Sequence, residues 1–252
     1  MVTMFIPPID LRSAVFHMQD ESSKRVLFIH GFTGSPQSFL PQYSAAIDAK
    51  YNVSVPLLSG HGTKIEDMLE TTYADYFQDV KRAFDLLCPN GEELYVVGLS
   101  MGGTLALDLA LIAKNVAGMV LINPLVLAPS PYFIGILDQI LQSGTEATPG
   151  IGSDIADPDQ KESSYPGSPV RAAKSLFQAA GRLSERVGEI DIPIRLFSSR
   201  DDHVVSVESG EYLEMVNPKV ERIILERSYH VATLDYDGDL ISSGILDFID
   251  HF

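Results

Sequence analysis

The chain has 252 residues, 45% of them hydrophobic, and carries 18 Lys and Arg against 34 Asp and Glu, a formal net charge of −16. Its length and apolar content suit one large domain, or one domain with an insertion. The acidic balance argues against a nucleic-acid partner and against attraction to anionic lipid, since both need clustered Lys and Arg.

A single cysteine, Cys88, leaves no disulfide within the chain and no Cys-based zinc site. The first ten residues, MVTMFIPPID, lack a basic start and a long apolar core, so no signal peptide is read there. No apolar run approaches the ~20 residues of a membrane span. The expectation is a cytoplasmic protein without stable membrane insertion, a monomer or weak homodimer.

In chain order, 14–17 reads as a short early strand. RVLFIH (25–30) is apolar on both faces, the pattern of a central strand in a covered parallel sheet. It runs into HGFTGSP (30–36), where Ser35 and Pro36 suit an N-cap and first helical position, predicting a helix to about residue 49. A strand follows at 51–55, then the loop PLLSGHGT (56–63). Tyr73, Tyr76, Phe77, Val80, Phe84 and Leu87 fall near helical spacing, predicting a helix from 71 or 72 to 88. An apolar run at 94–97, a serine among glycines, a helix-forming run at 104–114 and a buried strand at 117–122 come next.

Between 123 and about 189 the character changes. Proline and glycine recur, helical runs stand at 134–141 and 170–187, and no strand pattern emerges. This stretch reads as an insertion over the sheet's C-terminal edge, a cap or lid. Alternation resumes with a strand at 192–198, a helix at 206–215, a strand at 220–225 and a closing helix at 237–252. The pattern argues an α/β fold, a mostly parallel sheet with helices on both faces. The core would be 1–123 and 190–252, and the cap 124–189.

The chemistry is concentrated at Gly98-Leu99-Ser100-Met101-Gly102. This fits G-x-S-x-G, in which a serine sits on a strained strand-to-helix turn with its hydroxyl exposed. A serine hydroxyl is a poor nucleophile at neutral pH and needs a base, itself oriented by a carboxylate. In elbow enzymes these partners follow in the order Ser, Asp or Glu, His, each after a late strand. Here strand 192–198 leads into Arg200-Asp201-Asp202-His203-Val204-Val205, and strand 220–225 into Ser228-Tyr229-His230-Val231. His230 is the candidate base, in the right order and before the closing helix. His203 lies in the acid loop, and His17, His30, His61 and His251 read as structural or surface residues. Asp201 and Asp202 compete as the acid; Asp202, which opens Asp-His-Val-Val, is preferred. Asp235 reads as a solvated outsider. Backbone N–H groups of Met101 and Phe32 are the candidate oxyanion donors. There is no HExxH motif or carboxylate cluster to suggest a metal, and no phosphate-binding loop.

HGFTGSP (30–36), LSGHGT (58–63), GLSMGG (98–103), DDHVV (201–205) and SYHVATLDYD (228–237) together resemble the bacterial carboxylesterase and monoacylglycerol lipase group of α/β-hydrolases. The likeness runs from about residue 25 to the C-terminus. It implies an α/β-hydrolase fold with a helical cap, and a triad of Ser100, Asp202 and His230. It also implies an oxyanion hole from Phe32 and Met101, and no cofactor. The segment from Gly152-Ser153-Asp154 to Lys161-Glu162-Ser163 resembles the group's cap, in which a glutamate matching Glu162 binds glycerol hydroxyls. A small-molecule ester is the implied substrate. Leu125, Leu127, Phe133, Ile134, Ile136, Leu137 and Ile140 are candidates for an acyl pocket or for cap packing. Carbon–carbon bond hydrolysis, cofactor-free haloperoxidation and small-molecule reception are alternatives on the same fold.

Overall fold

The computed structural model describes residues 12–21, 23–150 and 152–252, so the reading of the first ten residues lies outside it. In chain order the elements are β1 (Val15–His17), β2 (Arg25–Ile29), α1 (Leu40–Asp48), β3 (Asn52–Val55), α2 (Tyr73–Leu87), β4 (Leu94–Leu99), α3 (Met101–Ala110) and β5 (Val116–Ile122). They continue with α4 (Pro131–Gln142), β6 (Ala147–Pro149), β7 (Gly167–Pro169), α5 (Val170–Ser184), β8 (Ile194–Ser199), α6 (Glu208–Val216), β9 (Val220–Leu225) and α7 (Gly238–His251).

The described residues build a seven-stranded sheet in the order β1-β3-β2-β4-β5-β8-β9. Its pairings are parallel except where β1 meets β3. Side chains alternate across the sheet and supply two cores. Val26 and Phe28 of β2 point with Tyr95 and Val97 of β4 toward α1 and α7, where Tyr43, Ile241, Ile245 and Phe248 close over them. Leu27 and Ile29 point the other way with Leu94 and Val96, toward α2, α3 and α5. This two-sided burial is why β2 and β4 read as unbroken apolar runs. Each fully buried Leu, Ile or Phe contributes roughly 1.5–3 kcal/mol, so a one-residue slip would exchange every partner and is strongly disfavoured.

Several boundaries differ from the sequence reading, among them the helix read as 170–187, which ends earlier, at Ser184. The helix expected from 36 begins as a 3-10 turn, Pro36–Phe39, before α1. Helix α3 starts at Met101, directly after the serine. The stretch between β5 and β8 contains an antiparallel ribbon, β6 with β7, that no alternation announced. Strands of three residues rich in Pro and Gly are too short to show a period. Within the same stretch α5 is bound into the main core through Ala172, Leu176, Ala180 and Leu183, whereas Leu137 is the buried residue of α4.

Candidate active site

The parallel strands deliver their following loops to one edge of the sheet. Ser100 stands at the end of β4 with φ 55° and ψ −117°. A non-glycine residue at positive φ is strained and persists only where its surroundings over-determine it. Here Ser100 N–H donates to the Ile122 carbonyl (3.0 Å), while its own carbonyl accepts from Gly103 (2.9 Å) and Leu125 (3.3 Å). The flanking glycines are required by space. A Cβ at Gly98 would run into the Gly102 carbonyl, and one at Gly102 into the Ile29 carbonyl of β2. Met101 opens α3, so its N–H has no intrahelical acceptor and is free for an anion beside the serine.

The loops after β8 and β9 meet at a short contact. His230 Nδ1 lies 2.8 Å from Asp202 Oδ2, and both side chains are nearly buried, 8% and 3% exposed. The other Asp202 oxygen accepts the N–H groups of Val204 and Val205, each at 2.8 Å. Asp202 is thus locked in its own loop by one oxygen and offers the other to the histidine. The contact orients the ring and selects the tautomer with the proton on Nδ1, leaving Nε2 to face away from Asp202 as an acceptor. Asp201 is exposed and makes no comparable contact among the described residues.

Asn123, at the end of β5 with φ 44°, holds the His230 loop from below. Its amide donates to the His230 carbonyl (2.8 Å) and the Tyr229 carbonyl (3.3 Å), and its oxygen accepts the Ser199 N–H (2.7 Å). The sequence reading missed it. The one signal was an amide residue closing a buried strand.

The loop after β2 is set by His30. Its Nδ1–H donates to the Gly31 carbonyl (2.9 Å), and its Nε2 accepts the Leu58 N–H (3.2 Å). Burial and the neighbouring His61 push its pKa down to about 3. Burial likewise holds His61 down at about 4. Both rings are therefore neutral hydrogen-bonding struts at ordinary pH.

A cavity of about 100 Å³ opens among these loops, lined by Phe32, Ser100, Glu162, Tyr165, His230 and Val231, with other residues. Glu162 is buried. Ser38 Oγ–H donates to its Oε1 at 2.7 Å. Burial raises its pKa above the usual glutamate range, opposed by the Ser38 hydrogen bond and by His230. Gly34 makes room for it, since a Cβ there would lie 2.8 Å from Oε1. Of the sequence-read residues, Ser100, His230, Phe32 and Glu162 thus share one cavity, with Asp202 behind His230. The apolar candidates from Leu125 to Ile140 do not line it. Leu125 packs into the core with α3, and Phe133 at the start of α4 faces Phe177 of α5, ring centroids 6.1 Å apart.

Asp235, read from sequence as solvated, is buried. It accepts four backbone N–H groups, from Ala156 (2.7 Å), Asp157 (3.0 Å), Tyr229 (2.9 Å) and Tyr236 (2.8 Å).

A serine at positive φ between a parallel strand and a helix, with an Asp–His pair delivered by two later strands, defines an α/β-hydrolase. Residues 20–237 match the family described as serine aminopeptidase, S33, and the chain belongs to that family. It is a serine ester hydrolase. It is 37% identical over 229 residues to the thermostable monoacylglycerol lipase of Bacillus sp. (strain H-257), covering 88% of this chain and 89% of the relative. It is 24% identical over 231 residues to a carboxylesterase of Bacillus subtilis (strain 168), covering 90% and 92%. A solved structure described with LipS and LipT, two metagenome-derived lipolytic enzymes, superposes with a TM-score of 0.89 at 34% identity, covering 96% of this chain and 98% of that one. Among the described residues no helix is long and apolar enough to cross a membrane.

Proposed function

We propose that this enzyme hydrolyses monoacylglycerols and short to medium-chain esters through an acyl-enzyme on Ser100. The observation that carries the reading is the shared cavity, in which a sheltered carboxylate, Glu162, lines the same space as Ser100 and His230. His230 Nε2 takes the serine proton as the hydroxyl attacks the ester carbonyl. Asp202 orients the ring and stabilises the imidazolium that forms. The N–H groups of Phe32 and Met101 receive the developing oxyanion. The alcohol leaves with the proton from His230, and water activated by the same ring releases the acid.

Glu162 accepts from the hydroxyls of a glycerol leaving group, which singles out monoacylglycerol among esters. A cavity of about 100 Å³ takes the glyceryl ester head, and the acyl chain extends beyond it. Residues 124–189 serve as the cap over a core of 1–123 and 190–252. The enzyme works in the cytoplasm, as a monomer or weak homodimer.

The test is glycerol and fatty-acid release from a long-chain monoacylglycerol, with p-nitrophenyl butyrate in parallel, for wild type, Ser100→Ala and Glu162→Gln. Ser100→Ala is expected to abolish both activities. Glu162→Gln is expected to raise KM for the monoacylglycerol by about 10-fold or more and to leave the butyrate ester unaffected. Ser100-dependent turnover of the butyrate ester alone would reject the monoacylglycerol assignment and keep the serine chemistry. Tight binding without turnover would make the protein a receptor.

A further inference from the structure

The segment 153–165, which gives Glu162 and Tyr165 to the cavity lining, is tied at its two ends to different loops of the site. At its far end Tyr165 holds the β2 side: its N–H donates to the Thr33 carbonyl (3.1 Å), and its hydroxyl donates to the Gly60 carbonyl (2.7 Å). At its near end stands Asp154, whose side chain is 10% exposed. Asp154 Oδ2 accepts the backbone N–H of His230 (3.1 Å) and that of His203 (3.2 Å), and Oδ1 lies 2.9 Å from the His203 ring Nδ1. The Asp154 carbonyl accepts the N–H of Val231 at 3.0 Å. One residue from outside both loops therefore bonds the neighbour of Asp202 and His230 itself.

Asp235 completes the attachment from the opposite direction. It stands after His230, and its carboxylate reaches back to Ala156 and Asp157 while holding Tyr229. The two carboxylates thus cross-link residues 154–157 and 229–235 reciprocally, each chain segment supplying the acceptor for the other's N–H groups. Bonds from N–H to carboxylate are shorter and roughly twice as strong as neutral ones. The Asp154 contact also raises the His203 proton affinity above the ordinary histidine value, first through the hydrogen bond and then through its charge. His203, set aside as a base by its place in the chain, is the arm by which Asp154 grips the acid loop.

We propose that Asp154 is a positioning residue of the active site: it spans the loops that carry Asp202 and His230 and fixes their separation, with Asp235 securing the segment it sits on. This rests on the reading of Asp202 and His230 as acid and base. The segment that carries Glu162 is then a strut of the site rather than a lid that swings clear, and the geometry of the base depends on it. A misplacement of the order of 1 Å at the reacting centre costs about 10²-fold in rate, so releasing the clamp is felt in kcat.

The experiment compares wild type, Asp154→Ala, Asp154→Asn and Asp235→Asn, with Asp159→Ala as a charge-matched control from an exposed position of the same segment. Steady-state kinetics on p-nitrophenyl butyrate are read beside the ring 15N resonances of His230 in histidine-labelled protein. Asp154→Ala is expected to lower kcat about 10- to 100-fold with KM changed less than about 3-fold. Asp154→Asn, which keeps one acceptor oxygen, falls between it and wild type. The ring 15N resonances of His230 shift in Asp154→Ala relative to wild type as the ring loses its fixed orientation. Wild-type kcat in Asp154→Ala, or a matching loss in Asp159→Ala, overturns the proposal. So do His230 resonances unchanged by Asp154→Ala. If Asp154→Ala does not fold, Asp154→Asn and Asp235→Asn carry the same two readouts. If wild type itself shows no Ser100-dependent ester turnover, the catalytic reading fails, and the His230 resonances, which need no turnover, still decide the clamp.

Discussion

Two pairs of histidines stand at the carboxyl edge of the sheet, and they differ in what their ring nitrogens face. His30 and His61 face backbone carbonyls, Gly31 and Ser59, at 2.9 and 3.0 Å, with their rings 5.0 Å apart. His230 and His203 face carboxylates, Asp202 at 2.8 Å and Asp154 at 2.9 Å. A carbonyl orients a buried imidazole but does little to offset a positive charge on it; a carboxylate does both. Burial, joined for His30 by the neighbouring His61, holds the first pair neutral, at about 3 and about 4, and the weak upward pull of the carbonyls does not offset it. In the second pair the Asp154 hydrogen bond and charge hold His203 above its ordinary value. Residue type alone does not separate the two pairs, whereas burial and the partner of the ring nitrogen together do.

The strongest way to break this comparison is to take the carboxylate from His230. Asp202→Asn keeps the shape but turns an amide toward Nδ1, favouring the wrong tautomer and leaving the imidazolium uncompensated. A fall in kcat of about 10⁴-fold is expected on p-nitrophenyl butyrate, with little change in KM. A loss smaller than about 10-fold would mean that the carboxylate is dispensable to the base. Removing a strut does less. His30→Ala strands the Leu58 N–H and releases the Gly31 carbonyl, costing about 1–3 kcal/mol of stability. It also frees Phe32, whose backbone N–H is the proposed oxyanion donor, so kcat is expected to fall by up to about 10²-fold. The pH dependence of kcat should keep its shape, because His30 does not titrate near neutrality. A moved acid limb would place His30 among the titrating groups of the reaction.

The parts of the site that the sequence made legible are those with a chain-local signature. Ser100 is bracketed by glycines whose absent Cβ atoms the close approach of β2 and α3 demands. The order of Ser100, Asp202 and His230 follows from three strands, of which β4 and β8 are buried almost throughout and read as apolar runs, while β9 at the sheet edge is buried at Leu225. Asn123, Asp154 and Asp235 were illegible for the opposite reason. Each acts through backbone N–H or carbonyl groups remote in the chain, 76 residues away for Asp154 and His230, and backbone partners leave no mark on the partner's residue type. Asp235 looked solvated because the donors that cover it, Ala156 and Asp157, lie 79 and 78 residues away and join the nearby Tyr229 and Tyr236 only in the folded chain. The ribbon β6–β7 was hidden by its brevity.

The smallest effect sharpens the comparison through stability. His30 and His61 have folded-state values of about 3 and about 4, below their ordinary 6.5. Between those values the unfolded chain binds more protons than the folded one, so stability rises with pH. The contribution is fully present above the ordinary value and is lost as pH falls toward the folded values, with a slope of at most about 1.4 kcal/mol per pH unit for each ring. His61 packs edge-on against Phe32 and Tyr76, with ring centroids at 6.3 and 5.1 Å, and its buried Nε2 has no hydrogen-bond partner among the described residues. His61→Phe keeps an aromatic ring in that slot and removes one titrating group, at the cost of the Ser59 hydrogen bond. Urea unfolding followed between about pH 4.5 and 6.5 should give a line for His61→Phe that is shallower than wild type by up to one ring's slope. His203→Phe, by contrast, removes a ring that a carboxylate holds above its ordinary value, whose stabilisation is present at low pH and lost as pH rises. Its stability difference from wild type should therefore grow on acidification while that of His61→Phe shrinks. Parallel lines for the two variants would mean that carbonyl-held and carboxylate-held rings respond to protons alike, and the distinction between strut and base would have to be sought elsewhere than in the partner.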